Sequence, residues 1–232
     1  MRETIIALDF PGKEETLRFL DLFKDEKEKP FVKIGMELFY AAGPEIVREV
    51  KRRGHKIFLD LKLYDIPNTV KRAMHALAVL DVDIVNLHAS GGSRMMREAL
   101  EGLKRPDGSR PLLIAVTILT STSEETLRDE MLVAAPMERT IESYAHTALE
   151  AGLDGVVCSP REVPGVKKAC GERFLTVTPG VRFADSAADD QVRITTPELA
   201  RQLGSDFIVV GRPITQAADP VAAYRKCQQE FV

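Results

Sequence analysis

Short apolar runs rich in β-branched residues recur at 5–9, 31–34, 57–62, 84–88, 112–117, 155–158, 175–178 and 207–210. Their near-continuous hydrophobicity, as in Phe207-Ile208-Val209-Val210, suits strands covered on both faces, the condition inside a parallel sheet. Between them run amphipathic stretches with helical spacing, among them 45–53, 70–80, 94–103 and 141–151. Gly54, Gly152, Gly171 and Gly204 each stand where a helix would end. Eight strands alternating with helices predict right-handed crossovers and a sheet that closes on itself. The expected fold is a single (β/α)8 barrel of the TIM type spanning residues 1–232. An open doubly wound sheet is the alternative on pattern alone.

Three polar stretches interrupt the pattern. The charge run at 24–29 reads as a solvated helix end, and 105–110, with Pro106 and Gly108, as a turn away from any site. The third, 179–195, lies between the last two strands. A connection of that length in a compact domain suits a lid over a ligand.

Composition narrows the partners. Among 232 residues, 32 basic against 35 acidic side chains leave a formal charge of −3, which gives no electrostatic case for nucleic acid or an anionic membrane. A small-molecule partner is therefore expected. No signal-like leader or bilayer-length apolar run is visible, and three scattered cysteines (Cys158, Cys170 and Cys227) suggest reduced thiols in a cytoplasmic protein. The scattered cysteines argue against a zinc site, and the four histidines form no ligand cluster.

A β/α barrel carries its chemistry at the C-terminal ends of its strands. The polar residues expected there are Asp9, Lys33, Asp60, Lys62, His88, Thr117, Ser159, Thr178 and the pair Gly211-Arg212. Strand side chains alternate, so Asp60 and Lys62 share one face and Leu61 takes the other. With that face inward, a carboxylate and an ammonium are buried side by side, and Lys33 on the neighbouring strand reaches them. Buried charge must be paired, so a purely structural ion-pair network fits this spacing equally well. In Gly211-Arg212-Pro213, the glycine lets a phosphate approach the backbone and the arginine offers two parallel hydrogen bonds. An ordinary strand-to-helix turn would look similar. Pro179-Gly180-Val181-Arg182 and Gln191 place polar groups on the long connection, where they could close over a bound phosphate.

The run from Asp60 to Thr69, Asp-Leu-Lys-Leu-Tyr-Asp-Ile-Pro-Asn-Thr, fits the pattern D-x-K-x-x-D-I-P-x-T and resembles the orotidine 5'-phosphate decarboxylases. The resemblance runs end to end through Ala7-Leu8-Asp9, Val32-Lys33-Ile34-Gly35, Leu119-Thr120-Ser121-Thr122, Thr178-Pro179-Gly180-Val181-Arg182, Asp190-Gln191-Val192-Arg193 and Val210-Gly211-Arg212. It implies loss of CO2 from orotidine 5'-phosphate to give uridine 5'-phosphate, the last step of de novo UMP synthesis, without metal or cofactor. Lys33, Asp60, Lys62 and a second chain's Asp65 would form a charged array in a homodimer, with Lys62 as proton donor. Asp9 and Lys33 would hold the ribose, with Thr69 contributing across the interface. Thr120 and Ser121 would meet the pyrimidine, while Pro179, Arg182, Gln191, Gly211 and Arg212 would surround the phosphate side. Two positions stand out from the pattern: Tyr64 is at a variable site, and Pro213 stands where serine is more usual.

Two other readings share these residues. Metal-dependent 3-keto-gulonate-6-phosphate decarboxylases and hexulose-phosphate synthases have the same D-x-K-x-x-D core, but with an acidic metal ligand where this chain has Lys33, which would repel Mg2+. A non-catalytic phosphate-ligand-binding barrel would use the arginines and treat the array as structural.

Overall fold

The computed structural model describes residues 2–183 and 195–232. Eight strands form it: β1 (Glu3–Ala7), β2 (Phe31–Gly35), β3 (Ile57–Leu63), β4 (Ile84–His88), β5 (Leu112–Val116), β6 (Gly155–Val157), β7 (Leu175–Thr178) and β8 (Phe207–Val210). They pair in sequence order, all parallel, and β8 returns to β1. Closure decides for the barrel over the open sheet. Helices α1 (Lys13–Asp21), α2 (Met36–Ala42), α3 (Pro44–Arg52), α4 (Pro67–Ala78), α5 (Gly92–Leu103), α6 (Met137–Glu150), α7 (Val163–Cys170) and α8 (Pro197–Gln202) occupy the crossovers, and α9 (Arg212–Thr215) and α10 (Pro220–Phe231) follow β8. No helix among the described residues is long and apolar enough to cross a membrane.

The expected strand bounds hold at β4, β7 and β8 and shift by one or two residues elsewhere. The clearest shift is β1, which stops at Ala7 and leaves Asp9 two residues beyond the sheet. All four glycines expected to end helices have positive φ, at 87°, 91°, 88° and 91°. Between β2 and β3 the chain makes two helices where one was expected. Gly43, at φ 65°, breaks them, and Pro44 starts the second in the first-turn position that its ring tolerates.

Alternation along each strand separates two cores. Outward residues such as Ile34, Leu59, Val85, Leu113 and Ile208 pack under the helices. Inward residues Ile5, Phe31, Phe58, Ile84, Ile114, Val177 and Phe207 fill the barrel, and Phe31 meets Phe207 edge to face at 6.2 Å. The lower barrel is therefore a packed plug, and only the upper end can open into a site.

An aspartate precedes each of β4, β6 and β8, and all three work alike at the closed end. Asp83, Asp154 and Asp206 accept the backbone N–H of Ile57, Leu113 and Thr176 on the preceding strand. Each also pairs with a base: Lys51 at 3.2 Å, Arg110 at 2.9 Å and Lys167 at 2.7 Å. The 105–110 turn thus lies away from the open end, as expected, and its Arg110 serves stability. The 24–29 run is more than a solvated end. Lys29 Nζ donates to the carbonyls of Phe23, Lys24 and Glu26, tying together the turns that follow the first helix.

Candidate active site

Following each interior column upward, the apolar plug gives way to charge. Above Phe31 stands Lys33, above Phe58 stand Asp60 and then Lys62, and above Ile84 stands Asn86. Asp60 is the hub. Its Oδ1 lies 2.7 Å from Lys62 Nζ and accepts from Asn86 Nδ2 at 2.7 Å, while its Oδ2 lies 3.4 Å from Lys33 Nζ. Lys33 Nζ also donates to Asp9 Oδ1 at 3.0 Å. A methyl group at Gly35 would sit 3.0 Å from that ammonium, so a bare backbone there leaves the lysine its room.

Burial opposes charge on both central groups, since Lys33 and Asp60 are only 9% and 8% exposed. Pairing overcomes it. Burial pulls the Lys33 pKa down, but Asp60 and Asp9 outweigh it and hold it above the ordinary lysine value. For Asp60, burial pushes the pKa up, yet Lys33, Lys62 and the Asn86 amide bring it below the ordinary carboxylate value. Lys33 and Asp60 thus stay ionised across neutral pH. Such a group of fixed charges can stabilise charge developing on a ligand and pass a proton to it.

Lys62 reaches this position through an irregular backbone. In the β3–β4 ladder Leu59 pairs with Val85 and Leu63 with Leu87, so β3 carries two extra residues at this point. Two, not one, preserves the alternation: Leu61 and Leu63 still pack outward while Asp60 and Lys62 face in. Lys62 takes φ 51°, a left-handed conformation that costs a residue with a Cβ about 1–3 kcal/mol. Its backbone N–H donates to Asn86 Oδ1 at 2.8 Å. Sequence reading missed Asn86. The signal was present in Ile84-Val85-Asn86-Leu87, a lone amide at an inward position of an otherwise apolar strand.

The array floors a cavity of about 650 Å³. Asp9, Lys33, Asp60, Lys62, Thr120, Ser121, Pro179, Arg182, Gly211 and Arg212 all line it, so ten of the residues singled out from sequence converge. Pro213, Thr215 and Gln216 add to the Arg212 side and Phe10 to the Asp9 side, none of them assigned a role beforehand. The stem of the long connection closes on itself: Val181 pairs with Thr195, and the buried Arg182 donates its backbone N–H to the Thr195 carbonyl at 3.0 Å.

Other expected residues fall elsewhere. Thr117 Oγ1 donates to the Val157 carbonyl and Thr178 Oγ1 to that of Phe207, both as barrel contacts. The Ser159 backbone N–H donates to Glu162, a turn contact, and half-buried His88 lies edge-on to Tyr64 at 6.2 Å. Asp65 and Thr69 are exposed and do not line the cavity; Asp65 accepts the Ile66 N–H. Gln191, and the 184–194 part of the expected lid, lie outside the described residues.

Residues 2–227 match the family described as orotidine 5'-phosphate decarboxylase / HUMPS family. The chain belongs to that family. Among curated relatives, an orotidine 5'-phosphate decarboxylase of Geobacillus sp. (strain WCH70) is 57% identical, covering 98% of this chain and 95% of that protein. One of Bacillus cytotoxicus is 55% identical, covering 99% and 97%. Two solved structures carry the likeness into three dimensions. The orotidine 5'-phosphate decarboxylase of Lactobacillus acidophilus superposes with a TM-score of 0.89 at 44% identity, covering 100% of this chain and 99% of that one. An uncharacterized conserved protein of Geobacillus kaustophilus gives 0.87 at 48% identity, covering 99% and 100%. Family membership thus extends over nearly the whole chain, including every residue of the array.

Proposed function

We propose that this chain decarboxylates orotidine 5'-phosphate to uridine 5'-phosphate and CO2, the closing step of UMP synthesis. The observation that carries the reading is the placement of Lys33, Asp60 and Lys62 in one cavity with Arg182 and Arg212. A volume of about 650 Å³ suits a nucleotide. The arginines and the Gly211 backbone would receive the phosphate, Asp9 and Lys33 the ribose hydroxyls, and Thr120 and Ser121 the pyrimidine.

Cleavage of the bond from C6 to the carboxylate releases CO2 and leaves its electron pair on C6. The Lys62 ammonium, 2.7 Å from Asp60, supplies positive charge beside that pair and then its proton. Binding energy gathered at the remote phosphate would hold the ring against the array. The Lys33 ammonium takes up both Asp9 and Asp60, the carboxylates a divalent cation would need, which disfavours the metal-dependent alternative.

The working unit is a homodimer in this reading. Exposed Asp65 and Thr69 lie beside exposed Tyr64 and Ile66, which are 62% and 68% accessible, and such an apolar patch suits contact with a second chain. From there Asp65 and Thr69 would complete the partner's cavity. The unpaired cysteines fit a reducing, cytoplasmic setting. The segment 179–195 would act as the lid, with Gln191 on it, and residues 1–232 as one domain.

The test is the loss of ultraviolet absorbance of orotidine 5'-phosphate with purified protein in EDTA. Steady turnover supports the reading. Turnover that appears only on adding Mg2+ would favour the metal-dependent relatives, and tight nucleotide binding without CO2 release a binding barrel.

A further inference from the structure

Asn86 is 1% exposed on the inner face of β4, and both ends of its amide are spent on the array. Its Nδ2 donates to Asp60 Oδ1 at 2.7 Å, and its Oδ1 accepts the Lys62 backbone N–H at 2.8 Å. We infer that Asn86 is a positioning residue for decarboxylation, clamping the Asp60 carboxylate and the Lys62 backbone so that the ammonium is held where the proton is needed. The inference rests on the function proposed above.

The geometry leaves little freedom. The Lys62 amide can only donate and the ionised Asp60 carboxylate can only accept, so the Asn86 amide fits one way round. The hydrogen bond it accepts falls where β3 carries its two extra residues, at the one described strand residue with positive φ. Without that acceptor, Lys62 gains by relaxing toward an extended backbone, and its side chain would leave from a different direction. Asn86 also sets Asp60: with Oδ1 held by the amide and Lys62, Oδ2 is turned to Lys33. One buried side chain therefore fixes the mutual placement of all three charged groups without contacting the cavity itself, whose lining omits it.

A residue that acts by placement should change rate more than binding. We would measure kcat and KM for orotidine 5'-phosphate, together with calorimetric binding of uridine 5'-phosphate, for the full chain and for Asn86→Ala. The product titration counts folded sites, since an unfolded fraction lowers stoichiometry. The expected result is a kcat lower by about 10–100-fold, the scale of an ångström-level misplacement. Product affinity and KM should stay within about threefold, with stoichiometry unchanged. Should Asn86→Ala not fold, Asn86→Ser carries the same comparison. If neither binds product stoichiometrically, Asn86 is a folding residue and the inference fails. It fails equally if the unmutated chain turns over and a folded variant keeps kcat within about twofold. An unmutated chain with no turnover would instead overturn the proposed function, leaving a distinct result.

Discussion

The Lys33 ammonium stands 3.4 Å from Asp60 Oδ2, with both side chains 11% exposed. Neither charge would be tolerable there alone, and each moves the other's pKa toward ionisation. Lys33→Ala should therefore destabilise the fold by about 2 kcal/mol, the scale of a lost hydrogen bond to a charged group, as read by urea unfolding. The pH window follows from the directions. Asp60, depressed, contributes stability above its ordinary value of 3.8 and loses it as pH falls through its folded value. Lys33, raised, contributes fully below 10.5 and loses it as pH climbs through its folded value. Equal stability of the variant and the parent at pH 7 would remove the claim that the pair supports the barrel.

Lys62→Ala should lose turnover while remaining folded, because Lys62 alone of the two lysines is assigned the proton. The left-handed backbone at Lys62 adds a second expectation. Alanine still has a Cβ and keeps the strain, but it removes one of the two cations that offset the buried Asp60, so thermal stability should fall modestly without loss of the fold. Circular dichroism beside the absorbance assay tests both. Near-parental kcat would eliminate the proton donor.

How much of this was readable beforehand differs between fold and site. Strand positions were legible because burial on both faces makes parallel strands continuously apolar, and Phe207–Val210 is a clean instance. The site was legible where charge interrupts that pattern, at Lys33, Asp60 and Lys62. Asn86 was not, since a neutral amide among apolar neighbours has many structural explanations. Nor were the strand-leading Asp83, Asp154 and Asp206, because their partners lie on other strands and only register brings them together. Helix α2 was missed because seven residues are too few to display a helical period.

Those aspartates yield a stability prediction far from the cavity. Asp206 accepts the Thr176 N–H and pairs at 2.7 Å with Lys167, which is only 7% exposed. Asp206→Ala strands that ammonium and should cost about 3 kcal/mol. Product binding at a temperature where the variant is folded should be unchanged. A large affinity loss there would mean that the closed end of the barrel is coupled to the open one.

His55 gives an acid-side prediction. It is 3% exposed, with Nδ1 2.8 Å from the Pro30 carbonyl. Burial lowers its pKa below 6.5, and Lys29 and Arg53 push the same way. The unfolded chain then takes up a proton that the folded chain refuses, so stability present above pH 6.5 declines as pH falls through the folded value. Half-buried His88, lowered by burial and by Lys62, adds to the slope. Melting temperatures between pH 7.5 and 5.5 should fall less steeply in His55→Gln, and an unaltered slope would remove His55 from the account.

Arg212 and the phosphate can be tested against each other. A charge-assisted contact contributes about 1.5–3 kcal/mol, so Arg212→Ala should reduce kcat/KM for orotidine 5'-phosphate by about 10–100-fold. On orotidine, which lacks the phosphate, the same substitution should change little. Equal losses on both substrates would place Arg212 elsewhere in the mechanism.

The shared-site reading makes a sharper demand, because it predicts activity from two inactive proteins. Lys62→Ala chains keep Asp65, and Asp65→Ala chains keep Lys62. In a hybrid dimer, the Lys62 of one chain meets the Asp65 of the other in one intact site, while the second site carries both lesions. Random reassortment makes half the dimers hybrid, each with one working site of two, so an equal mixture should recover about a quarter of parental activity. A mixture no more active than its components, under conditions where subunits exchange, would put Asp65 outside the partner's cavity. That outcome would leave the exposed Tyr64 and Ile66 face without the role proposed for it, while the Lys33–Asp60–Lys62 array, complete within one chain, would stand.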